Sequence, residues 1–169
     1  MEKIRLGIIG CGSITRHRHA PEAKLNEYVE LVAISDPNKE SAQEVAKRFE
    51  VKNVYTDYNK MLNEEKLDAV VVAAPNFLHA DATIKALDAG AHVLCEKPMA
   101  TTLEECEKMV LEAKKTGKFL MIAHNQRFNS AHVKARDIIK SGELGKVLSF
   151  KTSFGHGGPE RWSSEKVNT

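Results

Sequence analysis

The sequence predicts a doubly wound α/β fold: a parallel sheet of strand order 3-2-1-4-5-6 with helices on both faces, followed by the incomplete start of an α+β sheet domain. Three observations predict it. Short β-rich apolar runs alternate with segments of helical period, which is the sequence form of repeated βα units. The first run, Leu6-Gly7-Ile8-Ile9, leads straight into a glycine-rich turn, Gly10-Cys11-Gly12-Ser13-Ile14-Thr15. The run Ala69-Val70-Val71-Val72-Ala73 is apolar throughout, as suits a central strand covered on both faces.

The first strand is expected over residues 5–9 and the second over 29–35. Between them, residues 14–26 should hold a crossover helix that Pro21 interrupts or restarts, because proline supplies no backbone donor. Ala42, Val45, Ala46 and Phe49 fall at i, i+3, i+4 and i+7 and mark the buried face of the next helix. Val54-Tyr55 is the third strand, Met61-Leu62 lies on a small helix, and residues 69–73 are the fourth strand. The following helix ends at Gly90, placed for a left-handed cap, and feeds a fifth strand over 91–95. Thr102 and Glu105 have the spacing of a capping box; Cys106, Met109, Val110 and Ala113 then form the expected buried face, with Gly117 past the end. Residues 119–123 are the sixth strand, and the first domain is expected to close at residue 124. Beyond it, Ala131, Ala135 and Ile138 outline a helix ending at Gly142. Leu148, Phe150, Thr152 and Phe154 alternate as the first strand, 147–154, of a different sheet, making 125–169 the beginning of a second domain.

With 42% hydrophobic and 28% charged residues, the composition is that of a packed globular protein. The net charge of +2 is too small to argue for a nucleic-acid surface. The first strand begins almost at the N-terminus and no apolar run approaches a membrane span, so a cytoplasmic location is expected. Cys11, Cys95 and Cys106 lack zinc-type spacing and fit reduced thiols, and no metal site is expected. Cys11 is expected to pack inside the glycine turn.

In such a sheet the carboxyl ends of the strands form the ligand crevice. Gly10 and Gly12 permit a tight strand-to-helix turn and let the backbone approach a pyrophosphate, whose charge is favoured at a helix N-terminus. The third position of the pattern is Thr15 rather than Gly or Ala. The expected ligand is therefore a dinucleotide, lined by Gly10, Cys11, Gly12, Ser13 and Ile14. Asp36 ends the second strand, where an acid hydrogen-bonds the adenosine ribose and repels a 2′-phosphate. That favours NAD over NADP, although Lys39 lies near enough to soften the preference. The competing reading makes Asp36 the N-terminal cap of the next helix. Ala74-Pro75-Asn76 follows the fourth strand on the nicotinamide side of the switch point, with His79 given a positioning role. Glu96-Lys97-Pro98 ends the fifth strand. Lys97 is the candidate proton-transfer residue, for which burial or a nearby positive charge would be needed, and Glu96 anchors the cofactor or Lys97 itself. The competing reading of that pair is a solvated turn.

These segments (Gly10 to Ile14, Ser35-Asp36-Pro37, Ala74-Pro75-Asn76 with His79, Glu96-Lys97-Pro98 and Arg127-Phe128) resemble the Gfo/Idh/MocA oxidoreductases across nearly the whole chain. The resemblance implies a nucleotide-binding domain followed by an open, mostly antiparallel sheet domain that supplies substrate contacts and commonly the oligomer interface. It implies oxidation or reduction of a sugar, inositol or related polyol with NAD or NADP. It places Lys97 against substrate, and Asn125 and Arg127 at the domain junction near the nicotinamide. In that family the catalytic His, with a nearby Asp, comes from a second-domain motif. None of His17, His19, His124, His132 or His156 matches it, so the role is assigned to no residue, and the 169 residues are expected to be a truncated piece, a proteolytic fragment or a shortened gene product. Two other readings remain open: an NAD-dependent glycoside hydrolase of the related type, and an NAD-binding fragment without catalysis.

Overall fold

A computed structural model describes residues 2–153 and 155. The contacts divide the chain into two units, 1–123 and 124–169.

The first unit is built on six strands: β1 (Ile4–Ile9), β2 (Val29–Ser35), β3 (Asn53–Tyr55), β4 (Ala69–Val72), β5 (His92–Cys95) and β6 (Leu120–Ile122). All neighbours pair in parallel, in the order β3-β2-β1-β4-β5-β6. This is the order expected from the βα alternation. Successive side chains of a strand point to opposite faces, and the core divides accordingly. Ile8, Ile34 and Val71 pack with Ala42, Val45 and Phe49 on one face. Ile9, Val70, Val72 and Val93 pack with Met61, Leu87 and Met109 on the other.

The helices are α1 (Ala20–Leu25), α2 (Lys39–Phe49), α3 (Tyr58–Glu64), α4 (His79–Asp88) and α5 (Leu103–Thr116). Ahead of α1 the chain winds as a π turn over Thr15–His19, in which the Ala20 N–H reaches the Thr15 carbonyl five residues back. Pro21 explains it. An α-helix would bring the proline ring against the carbonyl of residue 17 with no N–H to bond it, and a wider coil relieves that contact. On α2, Ala42, Val45, Ala46 and Phe49 are the buried residues. The Thr102–Glu105 capping box forms at the start of α5, and Gly90 and Gly117 have positive φ. The expected buried face of α5 needs one correction. Met109 is buried, but Cys106 and Ala113 are only half-buried and Val110 is 41% exposed, because among the described residues the short edge strand β6 is the last of the sheet.

The second unit contains α6 (Ser130–Ser141), capped by Asn129 and ended by Gly142 in a left-handed conformation. No α6 residue is buried, so the face outlined by Ala131, Ala135 and Ile138 is not a core face among the described residues. The expected strand over 147–154 is also corrected. Residues 147–153 pair with no other strand among the described residues, and a strand without a neighbour gains no ladder hydrogen bonds. Phe154 and the tail from His156 lie outside the described residues.

Candidate functional site

The register of the sheet brings the site together. Ile9 pairs with both Ser35 and Val72, and Val72 pairs with Cys95. The residues that follow (Gly10, Asp36, Ala73 and Glu96) therefore leave the sheet side by side. Backbone bonds continue the ladder one step past the strands, from Gly10 N to Ser35 O, Ala73 N to Ile9 O and Glu96 N to Val72 O, each at 2.8 Å. Side chains far apart in sequence reach the crevice in fixed relation.

Gly10 has φ 99°, and a Cβ there would lie 2.4 Å from the Ala73 carbonyl oxygen. Only glycine fits that close approach. At Gly12 a Cβ would meet nothing within 4 Å, so the space beside this backbone is open. Thr15 is fully buried, and its hydroxyl donates to the Gly10 carbonyl at 2.7 Å. The departure from glycine at the third position thus ties the turn to the helix it opens. The first-turn N–H groups of Ser13 and Ile14 have no intrahelical acceptor by helix geometry. An open cradle with unpaired donors fits the pyrophosphate of a dinucleotide. Ile14, 39% exposed, adds an apolar side chain beside it.

Asp36 accepts the Cys11 N–H on Oδ2 at 2.7 Å and the Asn38 N–H on Oδ1 at 2.8 Å. The helix-cap reading is corrected: Asn38 caps α2, accepting the Ser41 N–H at 2.9 Å. A carboxylate offers about four acceptor sites, so Asp36 keeps capacity for ribose hydroxyls. The Cys11 thiol is pushed up to about 12 by burial and then by the Asp36 charge, which leaves it a packing residue. Arg16 turns back to Ser41 and Glu44, at 3.1 and 3.2 Å.

Ala74 and Pro75 lead from β4 into a 3-10 turn, Asn76–Leu78, with the Asn76 side chain exposed. His79 is 1% exposed; its Nδ1 lies 2.7 Å from the Pro98 carbonyl oxygen and its Nε2 2.9 Å from that of Ala74. It links the loops after β4 and β5. Glu96 faces His19, with Oε1 3.0 Å from the imidazole Nε2, while Oε2 accepts the Lys97 N–H at 3.2 Å. The His19 hydrogen bond holds the Glu96 carboxyl below its usual range against the opposing effect of burial, with the Lys97 N–H assisting. Lys97 is exposed, and its ammonium has no hydrogen-bond or ion-pair partner among the described residues. The solvated-turn reading is thus true of the Lys97 side chain and false of Glu96. Asn125 and Arg127 belong to the second unit, both exposed on a 3-10 turn, Asn125–Phe128.

His19 escaped the sequence reading because its partner is 77 residues away and no local spacing reveals such a pair. The one available signal was Glu96 itself, an acid at the end of an apolar strand that needs a donor. Two concavities of about 430 and 600 Å³ are lined by residues such as Lys3, Arg5 and Glu30 at the opposite strand ends and carry none of these groups.

A family model described as an oxidoreductase family with an NAD-binding Rossmann fold (Gfo/Idh/MocA) matches residues 4–124. The chain is 32% identical over 147 residues to an inositol 2-dehydrogenase of Salmonella typhimurium, covering 86% of this chain and 44% of that protein. It is 36% identical over 144 residues to a D-glucoside 3-dehydrogenase of Escherichia coli, covering 85% and 41% respectively. Among solved structures, a dehydrogenase from Bordetella pertussis in complex with NADH and UDP-GlcNAcA is similar at TM-score 0.81 and 32% identity, over 86% of this chain and 44% of that one. The chain thus spans less than half the length of the relatives it matches.

Proposed function

The chain belongs to the Gfo/Idh/MocA oxidoreductase family, matching its NAD-binding Rossmann fold, and from that premise we propose that the protein is an NAD(P)-dependent dehydrogenase of a sugar, inositol or related polyol. The observation that carries the proposal is the convergence of the open Gly10–Ile14 turn, Asp36 and Glu96-Lys97 at the carboxyl ends of the strands. Gly10, Cys11, Gly12, Ser13 and Ile14 would hold the pyrophosphate and Asp36 the adenosine ribose. Ala74, Pro75, Asn76, His79, Glu96 and Lys97 would border the nicotinamide, and the family resemblance adds Asn125 and Arg127 as further proposed cofactor-binding residues. Residues 1–124 are then the cofactor domain and 125–169 the start of a domain for substrate and oligomer contacts.

A bound nicotinamide would supply the hydride acceptor or donor. The chain's own residues position and exchange protons: Asp36 fixes the turn, His79 joins the two loops on the nicotinamide side, and Lys97 presents its ammonium to the substrate hydroxyl. Asp36 supports NAD as the preferred cofactor, with NADP the alternative. The relatives compared are dehydrogenases, so the glycosidase reading is not favoured. No helix among the described residues is long and apolar enough to cross a membrane; a cytoplasmic location is part of the proposed reading.

Calorimetric titration with NAD and NADP, followed by a polyol-dependent assay of NADH formation with wild type and Lys97→Ala, tests this reading. Binding of NAD, and turnover that Lys97→Ala abolishes, are expected. Turnover undiminished in Lys97→Ala would overturn the assignment of Lys97.

A further inference from the structure

Two imidazoles from separate elements grip the segment that carries Lys97, one on each side. His19 lies at the end of the π turn that continues the glycine turn, and its Nε2 is 3.0 Å from Glu96 Oε1, both side chains being more than four-fifths buried. The Glu96 carboxyl is held below its usual range, so it is ionised at neutral pH and can only accept. The proton in this contact is therefore on His19 Nε2. With Oε1 engaged, the other oxygen takes the Lys97 N–H at 3.2 Å. On the far side, His79 spans the Pro98 and Ala74 carbonyls at 2.7 and 2.9 Å from a fully buried position at the start of α4. Beneath them, the buried Cys95 thiol donates to the Glu96 carbonyl at 3.4 Å.

We propose that His19 and His79 form a two-sided clamp on Glu96-Lys97-Pro98, each a positioning residue that sets where the Lys97 ammonium stands. The two arms also join the loops that would border the dinucleotide: His19 follows the Gly10–Ile14 turn, and His79 Nε2 lies beside the carbonyl oxygen of Ala74. The glycine turn has its own supports, Thr15 on Gly10 and Asp36 on Cys11. Loss of the clamp thus frees the lysine loop while leaving the turn in place. The catalytic consequence rests on the proposed role of Lys97; the clamp itself does not.

The test is amide hydrogen exchange, read by NMR on the 169-residue chain. His19→Ala is expected to speed exchange of the Lys97 amide about tenfold, the scale of one hydrogen bond to a charged group, while Cys11 and Thr15 stay within about twofold. His19→Gln, whose amide can donate from nearly the position of Nε2, is expected to restore protection. Glu96→Ala removes the acceptor of the Lys97 N–H as well as the His19 contact, so it should speed Lys97 exchange at least as much as His19→Ala, and adding His19→Ala to it should change nothing further. On the other side, His79→Leu keeps the packing but loses both carbonyl contacts, and His79→Asn keeps a donor near the Nδ1 position. Faster Lys97 and Met99 exchange is expected in the first and near wild-type protection in the second.

Unchanged Lys97 exchange in His19→Ala and His79→Leu, with spectra otherwise native, overturns the proposal. So does an increase shared equally by every amide of the sheet, which would report only lost stability. In a turnover assay, His19→Ala is expected to lower kcat with the affinity for NAD kept. If exchange behaves as expected while Lys97→Ala leaves turnover intact, the clamp stands and the role of Lys97 falls.

Discussion

The carboxylate of Asp36 accepts the backbone N–H of Cys11 at 2.7 Å, so the side chain that closes β2 also braces the turn that follows β1. One group serves both the fold and the proposed ribose site. Asp36→Ala is expected to weaken NAD binding by at least about tenfold, since a charge-assisted hydrogen bond and a brace are lost together. Asp36→Asn keeps an acceptor for Cys11 but removes the charge, and should narrow the gap between NAD and NADP. Asn38→Ala serves as the control, costing α2 about 1 kcal/mol of cap stability with little effect on NAD. Calorimetric titration of the three variants checks this, and equal loss of NAD affinity in Asn38→Ala would contradict the assignment.

The two glycines of the turn should separate stability from binding. At Gly10 an added Cβ meets the Ala73 carbonyl oxygen at 2.4 Å on a backbone of positive φ. Gly10→Ala is therefore expected to cost about 2 kcal/mol or more in urea denaturation. At Gly12 the same methyl meets nothing within 4 Å, so Gly12→Ala should unfold like the wild type, within about 0.5 kcal/mol. Its methyl would instead occupy the space proposed for the pyrophosphate, and NAD affinity should fall. A Gly12→Ala protein that binds NAD normally would place the phosphates elsewhere.

Much of this was legible in the sequence, for physical reasons that particular residues show. The parallel sheet followed from βα alternation with crossovers of one hand, and its strand order from the glycine-rich turn after the first strand, which points to the dinucleotide-binding arrangement. Ala42, Val45, Ala46 and Phe49 declared their helix face because burial repeats with the helical period. Thr102 and Glu105 declared a cap because both halves of that motif lie within four residues. What stayed hidden depends on contacts distant in sequence. His19 and Glu96 meet only once the sheet is assembled, and Val110 carries the right spacing for burial but faces a short edge strand. The alternation at Leu148 and Phe150 signals a strand, yet a strand exists only with a neighbour to pair with.

Thr15 stands where the glycine pattern calls for a small residue, and its buried hydroxyl bonds the Gly10 carbonyl. Thr15→Val keeps the volume and leaves that carbonyl without its donor. The expected cost is about 1 to 3 kcal/mol, the range for an unsatisfied buried acceptor. Thr15→Ser retains the hydroxyl and should cost less. Urea denaturation of both variants beside the wild type checks the contribution of the hydroxyl; a Thr15→Val protein as stable as the wild type would mean that the hydroxyl contributes nothing.

The Glu96–His19 contact makes a pH-dependent contribution whose sign is fixed by the direction of the Glu96 shift. The folded carboxyl titrates below its usual 4.5, so the folded state favours the ionised form. That stabilisation is fully present above 4.5 and is lost as the pH falls through the lower, folded value. Glu96→Gln cannot ionise and keeps only a neutral acceptor. It should be less stable than the wild type by about 1 kcal/mol near neutral pH, the difference between a charge-assisted and an ordinary hydrogen bond. As the pH drops below 4.5, the two proteins should converge, because the wild-type carboxyl then becomes neutral as well. Groups that titrate alike in both proteins cancel in the comparison, so the convergence reports Glu96. A stability gap that stays constant down through the carboxylate range would show that the ionised carboxylate gains nothing from His19 in the folded state.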